Sequence, residues 1–398
     1  MKRIVQLGLG LHLAAAVCCS SQTPPQPNHL RQTALELEHQ GKNAEAEAAW
    51  RAFLKSNPNN PEPYGHLGLL EARQDRYKEA IPYYRKALAL KPGVPGLRLN
   101  YALALFKSGD LKAALPEFSA LLETAPPNSS EAQRLTILIG MSHYGLADYK
   151  AAAPFLKKAA DRDTQNLPLR LALAHSYLWS GQSKNVLDVY HEILAIDPDS
   201  AEADMIAGEA LDEMKDNAGA TQMFRNAVNA NPREPNVHFG LGYLLWSQKI
   251  YPEAMSEFKA ELANDPDHFQ ATLYLADSHI QMNQFDEAQI LLERAVRMEP
   301  SAALAHLDLG IVYTEADRKE DALRELTQAG KLTPSDVNVH WRLGRLYRSM
   351  GRKEEAKAEF DMASTLNKQA DEDLYKKIAA GKNRPPTPEG LPSAPPSQ

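Results

Sequence analysis

The chain has almost no cysteine. Its 398 residues hold two, Cys18 and Cys19, side by side near the start. A disulfide framework is therefore excluded, and stability has to come from packed side chains. Long runs of one charge are missing too: 44 basic and 51 acidic residues are interspersed, for a net charge of −7. Without a basic stripe to neutralise phosphates, nucleic acid is not an expected partner. The most apolar stretch, Ile4 to Val17, is broken by Gln6 and His12. As helix it would reach ~21 Å against a hydrocarbon layer of ~30 Å, too short for a permanent span. Catalytic signatures are absent as well. No His-Glu-x-x-His and no Cys/His cluster occurs, so the 12 histidines predict no metal site. Gly381-Lys382 lacks the earlier Gly and the following Ser or Thr of a phosphate loop. Gly240-Leu241-Gly242 falls inside a helical pattern and follows no strand, which excludes a dinucleotide loop. Asp197-Pro198-Asp199 and Asp265-Pro266-Asp267-His268 lack the Gly and closing Glu of a calcium loop and read as helix caps. The expectation is a protein with no cofactor, no metal and no enzymatic activity.

What is present begins with a segment unlike the rest. Lys2 and Arg3, the apolar stretch and the Thr23-Pro24-Pro25-Gln26-Pro27 linker form the pattern of a secretory signal over residues 1–26. Two processing patterns fit it. Ala14-Ala15-Ala16 matches the small-x-small site of a general signal peptidase. Ala15-Ala16-Val17-Cys18 resembles a bacterial lipoprotein box, with Cys18 lipidated and Val17 standing where a smaller residue is usual. Either way an exported chain is expected, periplasmic or secreted, touching a membrane only through such an anchor.

The body of the chain repeats. Set in rows of 34 from Pro27, with four residues inserted at 129–132, ten rows share four columns. The first small column reads Ala34, Gly68, Ala102, Gly140, Ala174, Gly208, Gly242, Ala276, Gly310 and Gly344. Twelve residues later a second reads Ala46, Ala80, Ala114, Ala152, Val186, Ala220, Ala254, Ala288, Ala322 and Ala356. Four residues on, a large column reads Trp50, Tyr84, Phe118, Leu156, Tyr190, Phe224, Phe258, Leu292, Leu326 and Phe360. A stop column eight residues further holds Pro58, Pro92, Pro126, Thr164, Pro198, Pro232, Pro266, Pro300, Pro334 and Lys368.

Each column has a physical cause. Two antiparallel helices approach closely only where neither carries bulk, which the two small columns provide. The large column lies one turn beyond the second small column on the same face and fills the crevice left. Proline disfavours helix before it and ends the second helix. Between the small columns a turn is marked in four rows by Gly41, Gly109, Gly181 and Gly351. Each row is helix, turn, helix, turn, and one such pair must stack on its neighbours to bury both faces.

The period and columns resemble the tetratricopeptide repeat family. Tyr64, Leu67-Gly68, Tyr77, Ala80, Tyr84, Ala87 and Pro92 match its pattern, with Glu71 where an aromatic is usual. The resemblance implies an all-α, right-handed superhelical solenoid of stacked antiparallel helix pairs over 27–370. It also implies a concave groove lined by the first helices, and a role in binding proteins or extended peptides.

Departures from the pattern make further expectations. The insertion at 129–132 is close to one helical turn and should lengthen the next first helix. The fifth row, with Val186 in a small column, should splay. Glu261 sits where other rows place Ala227 and Ala295, so its charge must be paired or reach outward. His238, His306 and His340 share one packing column and read as structural. Residues 371–380 read as one more short helix capping the last pair. Residues 381–398, rich in proline, read as a disordered tail.

The side chains one turn either side of the first small column should face the groove. They are Phe106, Tyr144, His175, Trp179, Phe239, Tyr243, Trp246, Trp341, Arg345 and Arg348. Aromatic and arginine side chains are what binding hot spots use. The positions matching a C-terminal carboxylate clamp in some family members read Leu99, Leu103, Ile137, Met141, Leu171 and His175, which predicts no clamp there. Glu209, Asp212, Glu213 and Asp277 make the middle acidic, and Arg345 and Arg348 make the far end basic. The sequence thus predicts a non-enzymatic extracytoplasmic scaffold. The alternative is a structural component of an envelope assembly, pilus or polysaccharide-export machine.

Overall fold

A computed structural model describes residues 27–382 of the chain. The expected signal segment with Cys18, and the tail from residue 383 on, lie outside them. The chain divides into two compact units, one up to Thr164 and one from Gln165. The described residues of the first unit form α1 (Pro27–His39), α2 (Asn43–Ser56), α3 (Pro61–Ala72) and α4 (Tyr77–Leu90). They continue with α5 (Leu97–Lys107), α6 (Leu111–Thr124), α7 (Ser130–Gly145) and α8 (Tyr149–Ala160). The second unit opens with α9 (Leu167–Trp179), α10 (Ser183–Leu194), α11 (Ala201–Glu213) and α12 (Asn217–Ala230). Then come α13 (Val237–Ser247), α14 (Tyr251–Asn264), α15 (Phe269–Gln281) and α16 (Phe285–Met298). The last four are α17 (Ala303–Glu315), α18 (Lys319–Leu332), α19 (Val337–Ser349) and α20 (Lys353–Lys382). No strand occurs among the described residues.

Within each unit every odd helix packs on the even helix that follows, and that helix packs on the next odd one. The columns explain how closely. A side-chain carbon added at Gly68 would stand 2.8 Å from the Tyr84 ring, and one at Gly242 would stand 2.7 Å from the Phe258 ring. The small column of a first helix therefore receives the large column of its own second helix. Tyr84, Phe118 and Phe258 are fully buried in this contact, each worth about 1.5–3 kcal/mol of apolar burial. Two large residues are only half-buried. Phe360 belongs to the last row, and Tyr190, in the row with Val186, turns its hydroxyl to donate to Asp204 at 2.7 Å.

In the second unit the first helices α9, α11, α13, α15, α17 and α19 also touch one another in sequence. They form one continuous layer of the unit.

The tight turn within a row needs a left-handed residue in all ten rows. Glycine fills it at Gly41, Gly109, Gly181 and Gly351, and Asp75, Ala147, Lys215, Lys249, Asn283 and Asp317 fill it elsewhere with φ between 55° and 66°. The glycines of the sequence marked only four of these ten turns.

Proline stops the second helix wherever the stop column carries one. Where it reads Thr164 the helix α8 still ends, at Ala160, and where it reads Lys368 the helix runs on. Residues 371–380, expected as a separate capping helix, instead continue α20 without a break over its 30 residues. Asn367-Lys368-Gln369-Ala370 offers neither proline nor glycine, and no described helix follows to be packed upon, whereas α8, equally without proline, is followed by α9. The insertion falls at the start of α7, which has 16 residues against 11 to 13 in the other first helices.

Candidate partner-binding site

The residue following each first small column shows how the two units differ. In the first unit it reads Leu35, Leu69, Leu103 and Met141, all half-buried. In the second it reads His175, Glu209, Tyr243, Asp277, Ile311 and Arg345. An apolar strip in one unit becomes a charged and aromatic strip in the other.

The expected groove residues divide accordingly. In the first unit Phe106 is half-buried with its ring edge-on to Phe118 at 6.1 Å, and Tyr144 stands edge-on to Tyr149 at 5.7 Å. In the second unit three aromatics are open to solvent: Trp179 (48% exposed), Tyr243 (39%) and Trp341 (43%). Trp179 stacks on His175 at 4.7 Å, and His175 Nε2 lies 3.0 Å from a Glu202 carboxylate oxygen. Arg345 lies over the Trp341 ring at 4.8 Å, and Arg348 over Phe360 at 5.6 Å. These cation–π contacts hold the two guanidiniums out along the face of α19.

The densest cluster lies on α13 and α15. Trp246 is half-buried, stands edge-on to Tyr274 at 4.9 Å, stacks on Tyr243 at 5.9 Å, and donates from Nε1 to Asp277 at 2.6 Å. Phe239 is half-buried among Tyr243, Phe258 and Tyr274, with His268 5.0 Å away. Trp246 and Phe239 therefore build the wall, and Tyr243 is the ring they present. Sequence reading missed Tyr274, which sits one column away from the expected set.

Between α9, α11 and α13 a cavity of about 570 Å³ opens, lined among others by His175, Glu209, Asp212, Glu213, Phe239 and Tyr243. Burial pushes the Glu209 carboxyl above the usual carboxylate range. His175 opposes that shift and the charge of Glu213 adds to it. Further along, Asp308 is 7% exposed. Burial, with the charge of Asp277 added, raises its pKa from 3.8 to about 7 against the pull of Arg342. Burial in turn lowers Arg342, although Asp308 favours its charge. Asp308 and Arg342 were not among the expected site residues, because nothing in a helical pattern marks a carboxylate that points inward.

Other polar residues turn out to be structural. Glu261 is 2% exposed and accepts from the backbone N–H of Asn236 (3.2 Å) and of Phe239 (3.1 Å). It caps the start of α13, whose own cap residue Asn236 is left-handed and makes no side-chain cap. His238, His306 and His340 each meet a glutamate of the second helix of their own row: Glu257 at 2.6 Å, Glu325 at 2.7 Å and Glu359 at 2.6 Å. Glu71 is buried and paired with Arg76 at 2.5 Å. Among the described residues no group of three or more His, Cys, Asp or Glu could hold a metal ion. Nor is any described helix long and apolar enough to cross a membrane.

Family models described as tetratricopeptide repeat match residues 32–95, 207–269 and 273–336, residues 69–136 and 144–209, and residues 337–369. The chain belongs to the tetratricopeptide repeat family. The fold is that of a protein–protein interaction scaffold. Among curated tetratricopeptide relatives, Protein CTR9 homolog of Arabidopsis thaliana is 23% identical over 285 residues, covering 68% of this chain and 25% of that protein. Cellulose synthase operon protein C of Pseudomonas fluorescens is 28% identical over 173 residues, 42% of this chain and 13% of that protein. The chain thus spans a quarter or less of the length of both relatives. The solved structure of pilF from Pseudomonas aeruginosa is 18% identical, covers 50% of this chain and 90% of that one, and has a TM-score of 0.45.

Proposed function

We propose that this tetratricopeptide protein is a non-enzymatic scaffold that holds a protein or extended peptide on the first-helix layer of its second unit. The observation that carries the reading is the exposure of Trp179, Tyr243 and Trp341 on α9, α13 and α19 of that one layer. Large rings left in water along one layer of helices are the usual anchors of an interface. The scaffold works outside the cytoplasm in this reading, with residues 1–26 as its signal peptide and Pro-rich linker and the Cys18 sulfur as the atom a lipid anchor would use.

The test is affinity capture from extract of the producing cell, comparing the full chain with a Trp179→Ala, Tyr243→Ala, Trp341→Ala variant of unchanged circular dichroism. Trp246 is left intact because it is packed. The reading expects partners that the variant loses; equal recovery by both chains contradicts it. The mass of the mature N-terminus tests the export leader, since an unprocessed chain retaining Met1 contradicts it.

A second reading, a structural part of an envelope or polysaccharide-export assembly, draws on the likeness to cellulose synthase operon protein C. It expects the chain to co-purify with membranes in one large complex. Recovery only as a free species weighs against it.

A further inference from the structure

The proposed scaffold has a face, and the cavity between α9, α11 and α13 says what chemistry that face selects. Three carboxylates, Glu209, Asp212 and Glu213, share its lining with the rings of Phe239 and Tyr243, and no lysine or arginine lines it. Glu202, which holds His175 at 3.0 Å, adds a fourth carboxylate on α11. Elsewhere in the unit, on both first and second helices, other carboxylates face cations. Asp308 has Arg342, and Asp321 pairs with Arg318 at 2.6 Å and with Arg324 at 2.8 Å. In the cavity the carboxylates meet only His175 and the Ser183 hydroxyl, which donates to Glu213 at 2.7 Å, and no lysine or arginine.

We infer that this cavity receives a lysine or arginine side chain of the bound peptide. The inference rests on the reading of the second unit's first-helix layer as the binding face. Each part of the lining suits such a cation. The carboxylates give it charge-assisted hydrogen bonds. The Phe239 and Tyr243 rings, 6.3 Å apart and tilted by 33°, offer π faces to a guanidinium or ammonium and an apolar wall to its methylene stem. The raised pKa of Glu209 has the cause expected of such a site: burial next to another carboxylate, Glu213. Bringing in a cation relieves that repulsion, and a phosphate backbone would increase it.

The cavity opens beside Tyr243, which is stacked with Trp246, and Trp246 is bonded to Asp277 on the next first helix. A chain that inserts a basic residue here can continue along α13 and α15 over rings and one more carboxylate. That continuity favours an extended peptide over a free amine.

Random dodecapeptides displayed on phage are selected against the immobilised full chain, and the winners are resynthesised with a fluorescent label and measured by polarisation. The expected result is a shared Lys or Arg. Its replacement by norleucine, or a Glu209→Gln, Asp212→Asn, Glu213→Gln chain, weakens binding by about tenfold or more, while Glu79→Gln, an exposed carboxylate on α4 of the first unit, changes it by less than about twofold. The amides keep the shape of the carboxylates, and a melting curve checks the fold. Winners no richer in basic residues than the library, or undiminished binding by the triple amide chain, overturn the inference. Winners without a basic residue that still lose binding on Tyr243→Ala overturn it alone and leave the binding face standing. If no selected peptide depends on Tyr243 or on the carboxylates, both readings fall.

Discussion

The two units are built from the same row and use its inner face differently. In the first, the position after the small column is Leu35, Leu69, Leu103 and Met141, and Phe106 turns edge-on to Phe118. In the second, the same position carries His175, Glu209, Tyr243, Asp277 and Arg345, with three large rings left exposed along the layer. The columns that make helices nestle are shared, and the half-open column beside them is free to differ. The second helices differ as well. Pro82, Pro116 and Pro154 lie inside α4, α6 and α8, whereas no helix from α9 to α19 has a proline beyond its first turn. The lesson is a division of labour within one row: packing positions carry the fold, and their neighbours carry the chemistry.

If that division is right, the packing contact should be equally costly to break in both units. Gly68→Val and Gly242→Val each drive a side chain into a buried ring and should each cost about 3 kcal/mol in denaturant midpoint analysis. A large difference between the two would show that the units do not share one packing rule. Next in size, Glu261→Ala leaves two backbone N–H groups at the start of α13 without their acceptor. It should cost about 2 kcal/mol in the second unit. Ala87 and Ala159 occupy the matching column of the first unit fully buried, so no equivalent dependence exists there.

The third effect depends on pH. The Asp308 pKa stands near 7 in the fold, above its ordinary value of 3.8. The stability linked to its protonated form is complete below pH 3.8 and is lost as pH rises through about 7. Asp308→Asn should therefore stabilise the second unit at pH 8, on the order of 1–2 kcal/mol. It should also flatten that unit's melting temperature between pH 4 and 8. An unchanged pH profile would contradict the assigned burial. Smallest, Ala147→Gly relieves a left-handed alanine in the first unit and should gain about 1 kcal/mol, while Gly181→Ala in the second should lose about as much.

The fold was legible because its causes recur. Gly68 against Tyr84 and Gly242 against Phe258 are one contact written twice, and ten copies of it rise above composition. The turns were legible only where glycine marked them. Lys249 and Ala147 adopt the same left-handed turn because the packed helices on either side impose it. The site was legible in part. Trp179, Tyr243 and Trp341 could be placed on first helices, away from the small column that packs, from their spacing. That Trp246 is held by Asp277 and Tyr274 could not, since it depends on what the next helix offers. Glu261 shows the same limit. Its need for a partner was plain from the sequence, but its partners are backbone groups beyond a left-handed Asn236, and no side-chain pattern encodes those. The end of α20 failed for the opposite reason: a cap was expected from the family's habit, while the local residues had no stop signal.

The contrast between the two inner faces can be tested directly by placing a photocrosslinking residue at Tyr243 in one chain and at Leu103, its counterpart in the first unit, in another. Both are irradiated in the producing cell. The account predicts a discrete crosslinked partner at position 243 and little or none at position 103. Equal adducts at both, or an adduct at position 103 alone, would contradict it.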